Sequence, residues 1–441
     1  MKSPLLFSVI FTFFVSFSQL FAQNINDGIT VSSKGGTFDY FSPWGEGSLG
    51  VVYTQYYAFI PKTRKFQYFN KSGELEWNVK IKPFNFNNFF VLNIDSDYCY
   101  YINSSFNSTS LLEKSSNELF LTIYRFDKKG ALVEKELSFD NPELAPMKPY
   151  IKGMYQSYVG AYDRGFISVS TNDQEHYHIV QVDEEFNVTY NMVELLWDQK
   201  IYNENLLSKP IFCLDNNQFC VIQTILGENK INATVHSFDL ENFKGSNQQK
   251  HSLNVEGINL TASPSHSRHS LYSSDNKRNE ESHQIVRYST NSTTYFPSLG
   301  AYTDYTLRDG KLICTGIYKN KSDAGFVVFE IDQSDEDEEA ITPKHILPFE
   351  ADSDTKDCEI AYLNSGQYVY ISTVNKGDVY LKTSNGTSVK YASKTSNRQA
   401  LINFILGSND ELIDLNRIYQ YGNDYIFTNE RKRKKATIYR N

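Results

Sequence analysis

The stretch Phe69-Asn70-Lys71-Ser72-Gly73-Glu74-Leu75-Glu76-Trp77-Asn78-Val79 decides the fold, because a short Asn/Gly turn joins two alternating strand-like runs. Related segments recur about every 56 residues. They are FDKKGALVEKELSF (126–139), VDEEFNVTYNMVEL (182–195), FDLENF (238–243), IDQSDEDEEA (331–340) and KTSNGTSVKYA (382–392). A strand-only unit that repeats at this interval is typical of a β-propeller or a β-solenoid.

A second series of turn-like breaks favours the propeller over the solenoid. One break precedes each repeat turn, so that every unit contains two hairpins and four antiparallel strands, which is the composition of a propeller blade. The breaks are Thr54-Gln55, Ser96-Asp97, Asp163-Arg164, Asn216-Asn217, Asp309-Gly310, Ser365-Gly366 and Asn423-Asp424. The sequence therefore predicts an all-β fold, a β-propeller of seven blades with four antiparallel strands each. Six or eight blades remain as alternatives.

The two ends of the chain predict how the ring closes. After the hairpin at Asn423-Asp424, the last unit has only one further strand, at residues 436–439, and lacks an outermost one. A strand near the N-terminus, at residues 28–33 or 37–41, can supply it and remove two exposed sheet edges. Two frayed terminal strands are the alternative.

Residues 1–22 have the pattern of a signal peptide: a positive Lys2, an apolar core too short to span a bilayer, and a cleavage region that ends before Gln23. An uncleaved N-terminal anchor is the alternative. No later stretch approaches 18 apolar residues, so no transmembrane segment is expected in the mature chain. We expect an exported protein of the periplasm, cell envelope or exterior, with residues 23–441 forming a single propeller domain.

One interval is longer than the repeat. The breaks at Asn216 and Asp309 are separated by about 93 residues, and the middle of this interval, at residues 261–282, is polar and rich in turn-forming residues. This pattern predicts a surface insertion at about residues 257–300. The strand-like run at residues 284–290 leaves an eighth blade open.

The charge of the chain bears on its partners. The net charge of -9 and the pI near 5.5 predict no attraction to nucleic acid. The basic run at residues 431–435 and the acidic run at 332–339 both occupy predicted hairpin turns, where solvated charge needs no partner.

Five cysteines are few for an exported chain, and all five lie in apolar strand-like runs that predict small buried side chains: Cys99, Cys213, Cys220, Cys314 and Cys358. Cys213 and Cys220 flank a hairpin turn and face each other. A two-residue loop would make them a hydrogen-bonded pair that is poorly shaped for a disulfide, whereas a four-residue loop would favour one.

No catalytic signature is present in the sequence, and we predict no catalytic, cofactor-binding or metal-binding residue and no cofactor. Three groups were considered as ligands and interpreted as solvated instead. They are the insertion histidines His266, His269 and His283, the alternating pair His176 and His178, and the acidic loop at residues 352–357.

The segment from Phe69 to Trp77 resembles the D-x-x-[ST]-G-x-x-x-W signature of PQQ-like propeller repeats, and generic repeats such as the WD40-like ones are similar. Residues 126–130 keep the Asp and the Gly, and residues 382–386 keep an Asn-Gly. The resemblance implies a propeller whose Gly closes a hairpin and whose Trp packs between blades. It does not extend to the cofactor and metal residues of the quinone-dependent dehydrogenases.

Two classes of function follow. The favoured one is a non-catalytic binding or scaffold propeller outside the cytoplasm, which recognises a protein or glycan partner through its loop faces. The alternative is a polysaccharide-acting hydrolase or lyase, with two carboxylates roughly 5 to 10 Å apart at the channel mouth. Trp44 and Trp197 are the candidate sugar platforms for that alternative.

Overall fold

The computed structural model describes most strands of the chain and many of the connections between them. The described residues are 29–32, 37–43, 49–57, 60–70, 72–81, 89–93, 98–104, 119–151, 154–162, 164–172, 175–204, 206–207, 210–215, 217–261, 303–308, 310–320, 323–333, 340–349, 359–363, 367–374, 378–391, 400, 404, 412–414, 419–421, 424–428 and 435–440.

Within these residues the chain is almost entirely β-structure, as predicted, and the strands form seven antiparallel sheets that we number in chain order. Sheet 1 contains β2 (Thr37–Pro43), β3 (Leu49–Tyr57), β4 (Ile60–Phe69) and β5 (Leu75–Ile81). Sheet 2 contains β6 (Phe89–Asn93), β7 (Tyr98–Ser104), β8 (Leu119–Asp127) and β9 (Leu132–Ser138). Sheet 3 contains β10 (Tyr155–Tyr162), β11 (Gly165–Thr171), β12 (His176–Asp183) and β13 (Val188–Glu194). Sheet 4 contains β14 (Ile211–Leu214), β15 (Gln218–Leu226), β16 (Lys230–Asp239) and β17 (Asn247–Asn254).

The three remaining sheets are less regular. Sheet 5 contains β18 (Leu260–Thr261), β19 (Thr303–Arg308), β20 (Lys311–Lys319), β21 (Ala324–Asp332) and β22 (His345–Pro348). Sheet 6 contains β23 (Glu359–Leu363), β24 (Tyr368–Val374), β25 (Asp378–Thr383), β26 (Ser388–Tyr391) and β27 (Leu412–Asp414). Sheet 7 contains β28 (Tyr419–Tyr421), β29 (Asp424–Thr428), β30 (Lys435–Arg440) and β1 (Ile29–Ser32). The described helices are a 3-10 helix, Pro142–Tyr150, and α1, Gln199–Asn203; each is far too short to cross a bilayer.

Six of the seven predicted breaks fall where the first strand of a sheet connects to the second. The break predicted at Thr54-Gln55 is wrong, because both residues lie inside β3 and pair with Arg64 and Thr63 of β4. Thr and Gln are polar, but a β-branched Thr also fits a strand, and the pairing with β4 decides its structure. The first connection of sheet 1 instead follows Pro43.

The turns between the third and fourth strands share one hydrogen-bonding pattern. The side chain of Asp127 accepts hydrogen bonds from the backbone N–H groups of Lys129 and Ala131, at 2.9 and 2.8 Å. Asn70 and Asp183 make the same pair of bonds in sheets 1 and 3. The residue three positions after the Asx adopts a positive φ, which favours Gly. It is Gly73 in sheet 1, Gly130 in sheet 2 and, against that preference, Phe186 in sheet 3, with φ of 77°, 84° and 66°.

Neighbouring sheets pack through buried apolar clusters. Between sheets 1 and 2, the rings of Phe66 and Phe126 stack with their centroids 4.5 Å apart, and Trp77 packs against both. Further buried apolar clusters lie between sheets 2 and 3, 3 and 4, 4 and 5, and 5 and 6. The innermost strands also touch in sequence order, with β2 contacting both β28 and β6, β10 contacting β6 and β14, and β14 contacting β19. The sheets therefore succeed one another in space as they do in the chain.

A polar bond accompanies four of these junctions, and we call it the inter-sheet latch. In each case a side chain donates to the backbone carbonyl of the residue that follows the turn Asp of the next sheet. The donor and acceptor pairs are Trp77 with Lys128 (2.8 Å), Arg125 with Glu184, Gln181 with Leu240 (2.9 Å) and Gln249 with Gln333 (2.6 Å). Trp77 thus lies between two sheets, as its resemblance to the repeat signature implied.

The N-terminal strand pairs with the C-terminal one. Residues Ile29–Ser32 form β1, which runs antiparallel to β30, so that Ile29 lies opposite Ile438 and Ser32 lies opposite Lys435. Sheet 7 therefore has the order β1-β30-β29-β28, with β1 outermost. Of the two predicted segments, residues 28–33 supply this strand, while residues 37–41 belong to β2 of sheet 1.

The predicted insertion interrupts a strand. Thr261 of β18 pairs with Ile317, and Thr303 of β19 pairs with Gly316, so the two strands occupy consecutive positions along one edge of β20. The excursion therefore covers residues 262–302, and the predicted start at residue 257 is too early because Leu260 and Thr261 still pair. Residues 284–290, which could add an eighth sheet, lie outside the described residues.

Candidate functional site

The connections differ between the two ends of each sheet. Because consecutive strands run in opposite directions, the turn between the first and second strands and the turn between the third and fourth strands lie at the same end of a sheet. We call this end the turn end. The link between the second and third strands, and the link to the next sheet, leave from the other end, the loop end. Most turn-end connections are tight, such as 163–164 and 128–131, and the one between β21 and β22 is the long exception. Long connections at the loop ends are residues 105–118, 139–154, 195–210 and 392–411, and the excursion 262–302 interrupts the first strand of sheet 5.

A cavity of about 330 Å³ opens at the loop end of sheet 4. It lies between the link from β15 to β16 and the last residues of β17, and it is lined by Glu228, Asn229, Lys230, Ser252, Asn254 and Ala340. Carboxylate, ammonium, hydroxyl and amide groups thus surround one opening. These polar groups border the opening, while most of the surface that it exposes comes from the apolar parts of its lining residues.

The link from sheet 3 to sheet 4 adds an exposed apolar element at the loop ends of these sheets. Leu196 is 53% exposed, and its backbone carbonyl accepts a hydrogen bond from the Gln223 side chain at 2.6 Å. Trp197 follows it and is half-buried. The other candidate sugar platform, Trp44, lies outside the described residues.

A row of buried polar side chains crosses the loop end of sheet 3. Gln156, Ser170 and His178 lie directly opposite one another on β10, β11 and β12, and all three are wholly buried. Directly opposed residues of adjacent strands point to the same face of a sheet. Phe166, which shares that face of β11, belongs to the apolar cluster between sheets 2 and 3. The row is therefore a polar segment of an otherwise apolar junction.

Two aromatic rings lie against His178, at one end of this row. The ring of Tyr150, the last residue of the 3-10 helix, lies 4.5 Å from the His178 ring, and Asn172 donates to the Tyr150 carbonyl at 3.0 Å. His178 Nδ1 lies 3.0 Å from the Tyr190 hydroxyl. Burial raises the pKa of Tyr190 to about 12, with the nearby Tyr150 adding to the effect, so the hydroxyl is protonated at neutral pH.

The interpretation of His176 and His178 as a solvent-facing pair is wrong. His178 is wholly buried and His176 is partly buried, because Tyr150 packs against both rings. A strand's alternation shows which side chains share a face, but a covering segment from elsewhere in the chain leaves no trace in that alternation.

The described cysteines, Cys99, Cys213, Cys220 and Cys314, are buried, and no disulfide joins any two of them. Cys213 and Cys220 are direct partners across a two-residue turn, which is the arrangement considered poorly shaped for a bridge. The Cys213 thiol donates to the Tyr305 carbonyl, and the Cys220 sulfur lies 3.4 Å from the Ser237 hydroxyl. Burial raises the pKa of the Cys220 thiol to about 11, which leaves little thiolate at neutral pH. Cys358 lies outside the described residues.

The carboxylates with described contacts form hydrogen bonds and ion pairs within the protein. Those of the turns bond to backbone N–H groups. Glu330 binds Lys344 and the Tyr368 hydroxyl; burial opposes ionisation, but these two hydrogen bonds outweigh it and lower the pKa of Glu330. Within the described part of the chain, no three His, Cys, Asp or Glu side chains are grouped as a metal site requires.

Several residues considered from the sequence lie outside the described ranges. They are His266, His269 and His283, the acidic loop at 352–357, residues 431–434 of the basic run and residues 334–339 of the acidic run. The buried polar row of Gln156, Ser170 and His178 was not predicted from the sequence. Its only sequence signal is the pair of serines at alternate positions of the strand Gly-Phe-Ile-Ser-Val-Ser-Thr, which is buried along its whole length.

No family model matches the sequence, and no curated protein matches it significantly. Among solved structures, the chain is similar to the polysaccharide lyase Uly1, with 9% identity, a TM-score of 0.44 and coverage of 91% of this chain and 89% of the lyase. It is also similar to Drosophila Semaphorin 2a, with 8% identity, a TM-score of 0.40 and coverage of 93% and 75%. At these scores neither likeness carries an argument about this chain.

Proposed function

We propose that the seven sheets are the blades of a closed β-propeller and that β1 seals the ring by completing sheet 7. Support comes from the packing of consecutive sheets, the contacts between successive innermost strands, and the pairing of Ile29–Ser32 with Lys435–Arg440. In a closed ring sheet 6 also packs against sheet 7, and the innermost strands line a central channel.

On this framework the protein is a non-catalytic binding module that recognises a protein or glycan partner through the loop ends of its blades. The observation that carries this function is the difference between the two ends. Short, hydrogen-bonded turns at one end are occupied by the inter-sheet latches, whereas the connections at the other end are long and include the exposed Leu196. Binding residues are typically carried by such loops on a rigid scaffold.

The loop ends of sheets 3 and 4 are the proposed contact surface. Leu196 provides an exposed apolar group, and the cavity bordered by Glu228 and Lys230 provides polar groups at the same end of the sheets. An apolar centre within a polar rim is the usual anatomy of a recognition surface.

Two leucine substitutions at opposite ends test this function. Leu196, at the loop end of sheet 3, is 53% exposed, and Leu132, at the turn end of sheet 2, is 39% exposed. The chain from Gln23 onward, carrying Leu196→Asp or Leu132→Asp, is immobilised and used to capture partners from an envelope fraction and to probe a glycan panel. We expect Leu196→Asp to weaken capture about tenfold or more, because a charge is disfavoured in the core of an interface.

Leu132→Asp should capture as the unsubstituted chain does. The opposite pattern, with capture lost only in Leu132→Asp, would assign binding to the turn ends and contradict the proposal. Protease treatment and periodate oxidation of the captured material then distinguish a protein from a glycan.

The proposed site of action is outside the cytoplasm, after removal of residues 1–22. This rests on the signal-peptide pattern of the sequence. N-terminal sequencing of the protein from an envelope or medium fraction should begin at Gln23. A cytoplasmic chain that begins at Met1 would refute it.

A further inference from the structure

The polar row of sheet 3 contains buried atoms whose hydrogen bonds are incomplete. Within the described residues, Gln156 Oε1, Ser170 Oγ and Asn172 Oδ1 are buried and have no hydrogen-bond partner. Gln156 and Ser170 are wholly buried. Because proteins pair nearly all buried polar atoms with protein groups, ordered water or ligand, three such atoms in one place indicate a missing partner.

The three atoms belong to one small region. Gln156 and Ser170 are opposed across β10 and β11, where Cβ atoms lie about 5 Å apart. Asn172 follows β11 by one residue and is tied to the Tyr150 carbonyl, while the Tyr150 ring lies on His178, the next member of the row. Tyr150 therefore links Asn172 to the end of the row that His178 occupies.

The neighbouring bonds define the chemistry of the missing partner. The Gln156 amide nitrogen donates to the Ser168 hydroxyl, and the Asn172 amide nitrogen donates to the Tyr150 carbonyl. Each amide therefore presents a carbonyl oxygen, which only accepts, to the unfilled position. The Ser170 hydroxyl can donate or accept. The partner must donate at least two hydrogen bonds.

The partner must also be neutral. Gln156, Ser170 and Asn172 carry neither carboxylate, ammonium nor guanidinium groups, and a buried ion without a counter-charge is strongly disfavoured. A neutral O–H group meets both requirements, whether it belongs to water or to a hydroxyl of a polyol or sugar.

We propose that Gln156 and Ser170 of this row, together with the adjoining Asn172, form a binding site for neutral O–H donors beside Tyr150. A sugar hydroxyl enters only if the ring of Tyr150 turns aside, and this ring is half-buried and ends the 3-10 helix. The site is distinct from the exposed surface of Leu196. If the experiments below contradict this site, the proposed partner surface at Leu196 is not contradicted with it.

The first arm of the test is a crystal structure of the chain from Gln23 onward, grown without polyols. The expected result is an ordered oxygen within hydrogen-bond distance of both Gln156 Oε1 and Ser170 Oγ. It should be lost in Gln156→Met, which keeps the side-chain length but removes the acceptor. The matched control is Gln181→Met. Gln181 is also a buried glutamine of sheet 3, but it donates to the Leu240 carbonyl in an inter-sheet latch, so this variant should retain the ordered oxygen. Should Gln156→Met fail to fold, Ser170→Ala takes its place.

The second arm distinguishes the two sources of the hydroxyl. Saturation-transfer NMR is recorded with D-glucose, D-galactose and D-mannose. Transfer that disappears in Gln156→Met and grows severalfold in Tyr150→Ala identifies a sugar hydroxyl; an ordered oxygen without transfer identifies water. The proposal is overturned if the unsubstituted structure has no density at the position and shows the two amides rotated so that their oxygens bond to protein groups.

Discussion

Excision of residues 262–302, with Thr261 joined directly to Thr303, should convert two short strands into one. Because Thr261 pairs with Ile317 and Thr303 pairs with Gly316, the fusion leaves every pairing with β20 in its present register. The product is a continuous first strand of sheet 5. We expect it to fold and to keep the same sheet order.

The expected change in stability follows from the length of the excursion. The entropy of closing a loop grows as (3/2)RT ln n, which is about 3 kcal/mol for about 40 residues. Removing the loop relieves that cost, so the free energy of unfolding should rise by up to about 3 kcal/mol. The neighbouring side chains Tyr305 and Leu307 are buried in the cluster between sheets 4 and 5 and are not disturbed by the fusion.

Denaturant unfolding, followed by circular dichroism, measures the change. The matched control deletes one residue more, joining Thr261 to Asp304, which shifts β19 by one position and turns Tyr305 and Leu307 away from the core. This control should lose several kcal/mol or fail to fold, since two large buried side chains lose their packing. If the in-register fusion is as unstable as the shifted one, the excursion contributes essential structure, such as a further sheet, and the reasoning is wrong.

Three further predictions concern the latches, the N-terminal strand and pH. Trp77→Phe removes the donor to the Lys128 carbonyl and should lower the free energy of unfolding by about 1 kcal/mol or somewhat more in urea melts; an unchanged midpoint would contradict the latch. Deletion of Ile29–Ser32 exposes the edge of β30 and should cause concentration-dependent aggregation in light scattering, whereas removal of only the preceding residues should not. Burial lowers the pKa values of His236 and His251, so the unfolded chain binds protons that the folded one does not. Stability should therefore be constant above neutral pH and fall as the pH drops below about 6.5, and the double variant with Gln at both positions should flatten that dependence.

The hairpins were the part of the fold most accessible from the sequence. An Asx residue followed three positions later by Gly specifies its own turn through local hydrogen bonds, so the turns at Asn70 and Asp127 could be located without knowing their neighbours. The same local reasoning failed at Thr54-Gln55, where pairing with the next strand, β4, outweighs the turn tendency of a polar dipeptide. The pairing of the N-terminal strand was accessible too, because the last unit visibly lacks a strand.

The candidate site was much less accessible. The polar row exists because Gln156, Ser170 and His178 lie opposite one another on three strands. Their register includes a bulge in β10, and no pattern of residues in the sequence predicts that bulge. Tyr150, whose ring lies against His178, comes from the preceding connection. Likewise, the position of the excursion inside the first strand of sheet 5 depends on two residues, Leu260 and Thr261, that are too few to form a recognisable strand signal.

The inter-sheet latch has a consequence for how far these repeats can diverge. Its acceptor is a main-chain carbonyl, which every amino acid supplies, so substitution cannot remove that half of the bond. The donor needs only reach and an N–H group, and Trp, Arg and Gln from different strands all satisfy it. Each joint can therefore be rebuilt with a new residue while the geometry of the assembly persists. Units of this kind can lose almost all resemblance to one another and still stack identically.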